Sequence, residues 1–224
     1  MIYKHYMKRF FDIILSALAI LVFSWLFIIL AIIIKGTSKG PIFFKQKRVG
    51  RDKTYFNILK FRTMRIDTPK DVPTHLLTDP EQYITTIGKF LRKTSLDELP
   101  QLFNILIGDM AIVGPRPALW NQEDLIAERD LYDANAVRPG LTGLAQVSGR
   151  DELPIPIKAR YDGEYVDNIS LMKDIVLICK TVGSVLKHDG VKEGGTAEGK
   201  KQEDNSLVAS AVIQEYAATK DKAN

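Results

Sequence analysis

The longest apolar segment of the chain lies near its start. Ile13 to Ile34 contains 22 residues without a formal charge. As an α-helix with a rise of 1.5 Å per residue, this segment reaches roughly 33 Å, enough to cross the hydrocarbon core of a bilayer. A secretory signal has a shorter apolar region and a small-residue cleavage site, which Lys35 to Ser38 do not provide. The pattern predicts a retained membrane segment, and its simplest form is a single-pass anchor.

Basic residues flank this segment on both sides. Lys4, Lys8 and Arg9 precede it, and Lys35, Lys39, Lys45, Lys47 and Arg48 follow it. Because Lys and Arg favour the cytoplasmic side, both ends are predicted to stay inside. A helix that enters the bilayer, bends and returns satisfies both ends, and the Ser24 hydroxyl would supply a hydrogen bond near the bend. The flanks favour this re-entrant form, with a spanning helix as the alternative.

Alternating apolar and polar positions follow the apolar segment. Pro41 to Arg48 and Thr54 to Arg62 alternate in this way, with Gly50-Arg51-Asp52 between them, and they predict a β-hairpin. Residues 64–80 have the composition of a loop, and Ile84 to Lys93 are predicted to form a short basic helix.

A second helical pattern follows the basic helix. Its apolar positions are Leu99, Leu102, Phe103, Leu106 and Ile107, and they predict an amphipathic helix over about 97–107. The residues expected on the opposite face are Asp97, Gln101, Asn104 and Gly108.

The rest of the chain adds a short strand and more helices. The predicted elements are a strand at Ala111 to Val113, an acidic helix at 119–133, a turn-rich loop at 137–143 and helices at about 155–167 and 170–187. The predicted fold is α/β and mostly helical, with one small hairpin and amphipathic helices along the membrane plane. We divide the chain into a membrane-inserted helix (1–36), a folded domain (37–190) and a disordered tail (191–224).

Composition and charge narrow the classes of partner. The chain has 224 residues and a formal charge of +4, a basic excess that favours anionic partners such as lipid headgroups or nucleotides. No aromatic residues alternate with basic ones as on a nucleic-acid-binding sheet, so nucleic acid is not an expected partner. The single cysteine, Cys179, cannot form an internal disulfide and is predicted to be a buried thiol in a reducing, cytosol-facing protein.

The chemistry-bearing residues concentrate between Ser95 and Pro117. Ser95 and Glu98 match a capping box, but Pro100 would then be the fifth helical residue, which costs about 3 kcal/mol. With Asp97 as the N-cap, Pro100 becomes the third helical position and is tolerated. Asp97 is therefore a helix cap or a functional carboxylate beside Glu98. Because a helix N-terminus attracts phosphate, a carboxylate there would need a metal between it and an anionic substrate.

Several cations stand close to this pair or in glycine-rich loops. Arg116 lies between two prolines, so its role is either a structural salt bridge or a phosphate fork. The others are Lys60 and Arg62 on the predicted hairpin, Arg92 and Lys93 just before the carboxylates, and Arg138 and Arg150 in loops. Each alone is a common solvated charge, but together with the apolar segment they indicate a membrane-surface site for a nucleotide-linked substrate.

The order of these motifs resembles the monotopic phosphoglycosyl transferases, also called bacterial sugar transferases. The matching motifs are Lys8-Arg9-Phe10-Phe11-Asp12-Ile13, Pro41-Ile42-Phe43-Phe44-Lys45-Gln46, Arg48-Val49-Gly50, Lys60-Phe61-Arg62-Thr63-Met64, Ser95-Leu96-Asp97-Glu98-Leu99-Pro100-Gln101, Gly108-Asp109-Met110, Gly114-Pro115-Arg116-Pro117, Arg138-Pro139-Gly140 and Gly149-Arg150. The resemblance covers about residues 7–190. It does not cover the tail.

This resemblance implies transfer of a sugar 1-phosphate from a UDP-sugar to polyprenyl (undecaprenyl) phosphate, with release of UMP. In such enzymes the aspartate of the Asp-Glu pair is the nucleophile and also meets Mg²⁺. Carried over, Asp97 attacks the β-phosphate and Glu98 assists it. Lys60, Arg92, Arg116, Arg150 and Asp162 fall on positions that the family uses for its site or for the salt bridges supporting it.

The chain departs from the family at the middle of the apolar segment. The family usually has Ser-Pro there, whereas this chain has Ser24-Trp25, so the bend is less enforced by the sequence. A site that uses the cytosolic UDP-sugar pool still favours a re-entrant helix on the cytoplasmic face of a bacterial membrane. A non-catalytic membrane scaffold that binds a lipid phosphate is the rival function. The sugar and the oligomeric state stay open.

Overall fold

The computed structural model describes residues 3–68, 80–149 and 153–187. The helices are α1 (Lys8–Val22), α2 (Ser24–Thr37), α3 (Thr86–Lys93), α4 (Gln101–Ile107), α5 (Glu123–Asp130), α6 (Leu144–Ser148), α7 (Ile155–Asp167) and α8 (Leu171–Lys187). The strands are β1 (Phe43–Val49), β2 (Tyr55–Phe61), β3 (Ala111–Val113) and β4 (Gly140–Thr142). The mostly helical fold with a small hairpin is confirmed. The predicted tail, 191–224, lies outside the described residues.

The apolar N-terminal segment forms two helices that meet at a bend. α1 and α2 are inclined by 62° across Phe23. The Ser24 hydroxyl donates to the Leu21 carbonyl oxygen at 2.8 Å, and the Phe27 amide donates to the Phe23 carbonyl oxygen at 3.0 Å. The bend thus forms without proline, because local donors and acceptors remain paired through it. Within the described ranges, no single helix has the length and apolar character to cross a bilayer, whereas the bent pair taken together has both.

The two ends of this bent pair are held by the same folded body. At the start of α1, Lys8 pairs with Asp174 on α8 at 2.7 Å, and Arg9 donates to two carbonyl oxygens at the end of α4. After α2, the buried Arg62 donates to the carbonyl oxygens of Ser38, Lys39 and Pro41. The helix pair therefore leaves the folded body and returns to it.

The hairpin and the helices around it form the core beside the site. β1 and β2 pair antiparallel from Phe43–Phe61 to Val49–Tyr55, as predicted. On one face of β2, Ile58 packs against Leu102 and Ile105 of α4. On the other face, Phe61 packs with residues of α2 and α3. Ile58 and Phe61 are buried on opposite faces of β2. Lys60, which lies between these two residues in the sequence, therefore stands at the border of the core.

A parallel pair of short strands follows the hairpin. β3 pairs with β4 through Ala111–Gly140 and Val113–Thr142. The sequence predicted β3, but it assigned 137–143 to a loop, so β4 was missed. Gly140 makes this pairing possible, because a Cβ at that position would lie 2.1 Å from the Gly114 amide nitrogen. A three-residue strand set between Pro139 and Gly143 has too little alternation to be recognised locally.

The amphipathic helix is shorter than predicted and is rotated. α4 begins at Gln101 instead of Asp97, and Pro100 occupies its N-cap position. Phe103 packs against Phe27 at 5.5 Å between ring centroids, in agreement with the predicted apolar face, but Ile107 is 69% exposed. Gln101 and Asn104, expected on the outer face, are buried. The hairpin covers that polar side, and helical periodicity alone cannot predict such a contact with another element.

Candidate active site

The two adjacent carboxylates lie in a short 3₁₀ turn that joins α3 to α4. The turn spans Leu96–Glu98 and follows Ser95, whose φ of +56° is left-handed. Neither capping assignment holds, because no side chain caps α4 and Ser95 accepts no capping hydrogen bond. The turn instead directs Asp97 inward, where it is 8% exposed. Both carboxylates thus stand at the N-terminal end of α4 without serving as its cap.

Lys60 and Arg116 converge on Glu98 from two other elements. Lys60 Nζ donates to Glu98 Oε1 at 2.6 Å and lies 4.0 Å from Asp97 Oδ2. Arg116 Nη1 lies 3.8 Å from Glu98 Oε1. The structure therefore brings Lys60, Asp97, Glu98 and Arg116 together. Glu98 is engaged by both cations, whereas Asp97 lies at the longer distance from Lys60.

Burial shifts the ionisation of Asp97. The pKa of this carboxyl is raised to about 6, because loss of solvation and the nearby Glu98 carboxylate together outweigh the opposite effects of Lys60 and Arg92. An aspartate with a pKa near 6 is still largely ionised at pH 7. It is also poorly solvated, and a poorly solvated carboxylate is a better nucleophile than one in bulk water. The sequence identified the residue, but the shift depends on tertiary burial.

Arg92 belongs to the same cluster. It lies on the last turn of α3, its Nε donates to the Thr63 hydroxyl at 3.0 Å, and its charge lowers the pKa of Asp97. The prediction that Arg92 lies at the site is consistent with this position. Thr63 follows the hairpin directly, so the same segment positions both Lys60 and Arg92.

A buried ion pair between Asp162, which the resemblance placed at the site or in a supporting salt bridge, and Arg129, which the sequence did not identify, supports Arg116. Arg129 on α5 donates to Asp162 Oδ2 through Nε at 2.8 Å and Nη2 at 2.6 Å, and Nη2 also donates to the Arg116 carbonyl oxygen at 2.9 Å. Arg48 donates to the next carbonyl oxygen, that of Pro117, at 2.9 Å. Asp162 therefore acts on the site through Arg129 and the backbone of Arg116. Arg129 lies in a charged helical stretch, and nothing local distinguishes it.

Asn104, like Gln101, was predicted on the exposed face of the helix but is buried. It is 1% exposed, and its side chain binds the edge of β2 by accepting from the Leu59 amide at 2.9 Å and donating to the Asn57 carbonyl oxygen at 2.9 Å. These two hydrogen bonds pair backbone groups at the edge of β2 that no neighbouring strand pairs among the described residues. They fix β2, and hence Lys60, against α4.

One predicted site cation, Arg138, does not lie beside the carboxylates. Arg138 donates through Nε to the Gly108 carbonyl oxygen at 2.9 Å, at the opposite end of α4 from Asp97. Arg150 lies outside the described residues. The predicted burial of Cys179 is wrong, because its side chain is exposed on α8.

The donors at the site suit one magnesium ion. Among the described residues, no cluster of three or more His, Cys, Asp or Glu side chains forms a complete metal cage. Mg²⁺ does not need one, because it usually keeps several waters and takes one or two carboxylates together with substrate phosphates. Asp97 fits this pattern, since its oxygens are less engaged by cations than those of Glu98.

The raised pKa of Asp97 predicts a pH dependence of any reaction in which it is the nucleophile. As the pH falls through about 6, the carboxylate takes up a proton and loses nucleophilicity. We expect the rate at which a labelled UDP-sugar modifies the protein in a single turnover to fall about tenfold per pH unit well below pH 6. Measuring this rate from pH 4.5 to 8 tests the assignment. A rate that stays constant down to pH 4.5 would contradict it.

Comparison with known proteins identifies the family. The profile of the family described as "Bacterial sugar transferase" matches residues 3–188. The exopolysaccharide production protein ExoY of Rhizobium meliloti is 39% identical over 197 residues, which cover 80% of this chain and 84% of that protein. The undecaprenyl-phosphate galactose phosphotransferase of Salmonella typhimurium is 38% identical over 201 residues, which cover 84% of this chain and 42% of that protein.

A third relative has a different sugar in its name. The UDP-N-acetylgalactosamine-undecaprenyl-phosphate N-acetylgalactosaminephosphotransferase of Aeromonas hydrophila is 37% identical over 193 residues, or 84% of this chain and 45% of that protein. This chain spans less than half the length of the Salmonella and Aeromonas relatives. It belongs to the bacterial sugar transferase family of phosphoglycosyl transferase enzymes.

Proposed function

We propose that this protein transfers a sugar 1-phosphate from a UDP-sugar to polyprenyl phosphate at the cytoplasmic face of a bacterial membrane. The reaction would start assembly of a surface polysaccharide or glycoconjugate. The observation that carries the proposal is the buried Asp97 carboxylate, set among Lys60, Arg92 and Arg116 in a member of this family. The names of the Salmonella and Aeromonas relatives, which specify undecaprenyl phosphate, support the acceptor.

The first step is attack by Asp97 on the donor. A carboxylate oxygen of Asp97 forms a bond to the β-phosphorus of the UDP-sugar, and the bond from that phosphorus to the oxygen bridging it to the α-phosphate breaks. UMP leaves with that oxygen and its electron pair. The sugar phosphate stays on Asp97 as an acyl phosphate. Because Asp97 is ionised at neutral pH, this step needs no general base.

The second step returns Asp97 to its starting state. A phosphate oxygen of polyprenyl phosphate attacks the same phosphorus and displaces the carboxylate. The product is a polyprenyl diphosphate sugar, and the enzyme is free for another donor. Two displacements at one phosphorus allow UMP to leave before the bulky lipid phosphate arrives, so the two anionic substrates need not occupy the site together.

The cations reduce the repulsion between Asp97 and its anionic substrate. Arg116, whose side chain is 40% exposed, can present its planar guanidinium to the phosphate oxygens. Lys60 neutralises Glu98 and lies 4.0 Å from Asp97, so it limits the negative charge that the donor meets. Mg²⁺, held by Asp97 with the donor phosphates, would add charge neutralisation in the transition state. Glu98 holds Lys60 and Arg116 in place.

The N-terminal helix pair supports a re-entrant membrane segment. Its start is tied to α4 and α8 by Arg9 and Lys8, and its end is tied to the hairpin by Arg62. One folded body holds both ends, which supports a helix pair that enters and leaves the bilayer by the same face. The exposed side chains of the pair are largely apolar, including Leu21, Trp25 and Ile32.

We predict that Lys4 and Lys39 both face the cytosol. Single cysteines at these positions, in a chain with Cys179→Ser, should resist an impermeant thiol reagent in intact cells and react after permeabilisation. Carrying either basic flank across the bilayer would oppose several Lys and Arg at once. The bend, by contrast, costs at most about 1–3 kcal/mol per lost hydrogen bond. Lys53→Cys, on the exposed hairpin turn, is the cytosolic control. Labelling of Lys4→Cys or Lys39→Cys in intact cells would mean that the segment spans.

Arg116→Lys should be damaging even though the charge is kept. An ammonium cannot reproduce the two parallel donors of a guanidinium, and we expect a loss of about 2–3 kcal/mol of transition-state binding, or roughly 30- to 150-fold in kcat/KM. Arg65→Lys, an exposed residue paired with Asp67, is the matched control. Near-normal turnover of Arg116→Lys would assign Arg116 a purely structural role.

Release of UMP tests the proposed function directly. Purified full-length protein with polyprenyl phosphate and Mg²⁺ should release UMP from one or more of UDP-galactose, UDP-glucose and the N-acetylated UDP-amino sugars. The preferred donor identifies the sugar. Binding of polyprenyl phosphate without UMP release from any donor would instead favour the membrane scaffold.

A further inference from the structure

A cavity of about 170 Å³ lies at the end of α4 that is opposite the two carboxylates. The hairpin turn bounds it with Gly50, Arg51 and Thr54, and Gly108 and Arg138 close the other side. α4 contains seven residues and spans roughly 10 Å, which separates this cavity from Asp97. One ordered water needs only about 10–15 Å³, so the cavity has room for a larger polar group.

Two guanidinium groups meet at the last turn of α4. Arg138 Nε donates to the Gly108 carbonyl oxygen, and Arg9 donates to the carbonyl oxygens of Ile105 and Leu106 at 2.6 and 3.0 Å. Within 3–68, 80–149 and 153–187, no carboxylate pairs with Arg9 or Arg138 within 4.0 Å. Carbonyl dipoles at a helix C-terminus amount to about half a charge, so they balance these two cations only in part.

The acidic residues at the cavity are already engaged. Asp52 pairs with Arg51 at 3.2 Å, and Asp109 Oδ2 accepts from the Asn104 amide at 3.2 Å. Burial, followed by the charges of Arg51 and Arg9, lowers the pKa of the Arg138 guanidinium, and Asp12 opposes this effect. A bound anion would relieve the repulsion among these arginines.

Exposed apolar side chains adjoin, in sequence, two residues at this end of α4, and they indicate the source of the anion. Phe10 follows Arg9 and is 58% exposed, and Ile107 precedes Gly108 and is 69% exposed. Apolar side chains beside Arg are typical of sites at the lipid headgroup level. The acceptor phosphate is not suited to this cavity, because it must reach phosphorus at Asp97. We propose that Arg138 and Arg51 bind the headgroup phosphate of a bilayer phospholipid in this cavity.

Lipid-dependent thermal unfolding of the full-length protein in detergent tests the proposal. Phosphatidylglycerol should raise the Tm in a saturable manner, because a ligand of the folded state stabilises it. Diacylglycerol with the same acyl chains, which lacks the phosphate, should not. Arg51→Gln should weaken the apparent affinity for phosphatidylglycerol about tenfold through loss of a charge-assisted contact. Arg138→Gln should weaken it at least as much.

The controls separate a lipid site from general charge and from soluble anions. Lys53→Gln removes one exposed positive charge from the same hairpin turn and should leave the affinity unchanged. Arg51 is half exposed and pairs with Asp52 of the same turn, so Arg51→Gln carries the test even if Arg138→Gln does not fold. An unchanged response of Arg51→Gln, or an equal response to diacylglycerol, would overturn the site. Equal stabilisation by millimolar inorganic phosphate would overturn the lipid assignment. None of these three results bears on UMP release.

Discussion

Asp97→Asn should abolish covalent labelling of the protein by a UDP-sugar that carries a radiolabel in the sugar. An amide is not a useful nucleophile toward phosphorus and is a poor ligand for Mg²⁺. The expected loss of activity is on the order of 10³-fold or more, or about 4 kcal/mol of transition-state stabilisation. Incubation without lipid acceptor, followed by denaturing electrophoresis, measures the label on the protein. Wild-type protein should retain it.

The same substitution should not destabilise the fold, which separates lost chemistry from lost structure. The pKa of Asp97 is raised in the folded state, so its ionisation costs folding free energy, and that cost grows as the pH rises from about 4 to about 6. At pH 7, Asp97→Asn removes this cost and should raise the free energy of unfolding by up to about 3 kcal/mol. Asp67→Asn, at an exposed carboxylate, should keep full labelling. Label that persists on Asp97→Asn would show that another residue is the nucleophile.

Arg129→Met and Asp162→Leu should each destabilise the protein by about 3–5 kcal/mol, because each leaves an uncompensated buried charge. The Arg129 and Asp162 side chains are 6% and 1% exposed, so solvent screens little of this cost. The double variant should recover most of the stability, since neither charge remains. Urea unfolding of the two single variants and the double variant gives the coupling free energy. A double variant as unstable as the sum of the singles would show that the two residues act independently.

Activity should follow a different order from stability in this set. Arg129 donates to the Arg116 carbonyl oxygen, and that donor is missing in both Arg129→Met and the double variant. At a temperature where all variants are folded, these two should show slower labelling, whereas Asp162→Leu keeps the donor and should be less affected. Labelling that tracks stability alone would mean that Arg129 does not position Arg116.

Much of the local structure follows from the sequence alone. The alternation of apolar and polar positions predicted the ends of both hairpin strands to within one or two residues, and helical periodicity predicted α7 and α8. These elements are predictable because buried and exposed side chains recur at a fixed spacing along each helix or strand. The catalytic candidates were also identifiable, since the order of motifs from Lys60 to Arg116 carries the family resemblance. Those motifs name residues without giving their distances.

Contacts between distant segments decided the rest. Asn104 was expected to be exposed because the helix pattern does not reveal that β2 covers it, and Arg129 became a support for Arg116 only where α5 meets α7. Arg138 and Arg116 both lie in Gly- and Pro-rich loops, yet Arg116 reaches Glu98 and Arg138 reaches Gly108, at opposite ends of α4. The raised pKa of Asp97 likewise comes from burial beneath several elements. Periodicity records which side of an element is apolar, whereas the partner of each polar group depends on which elements pack together.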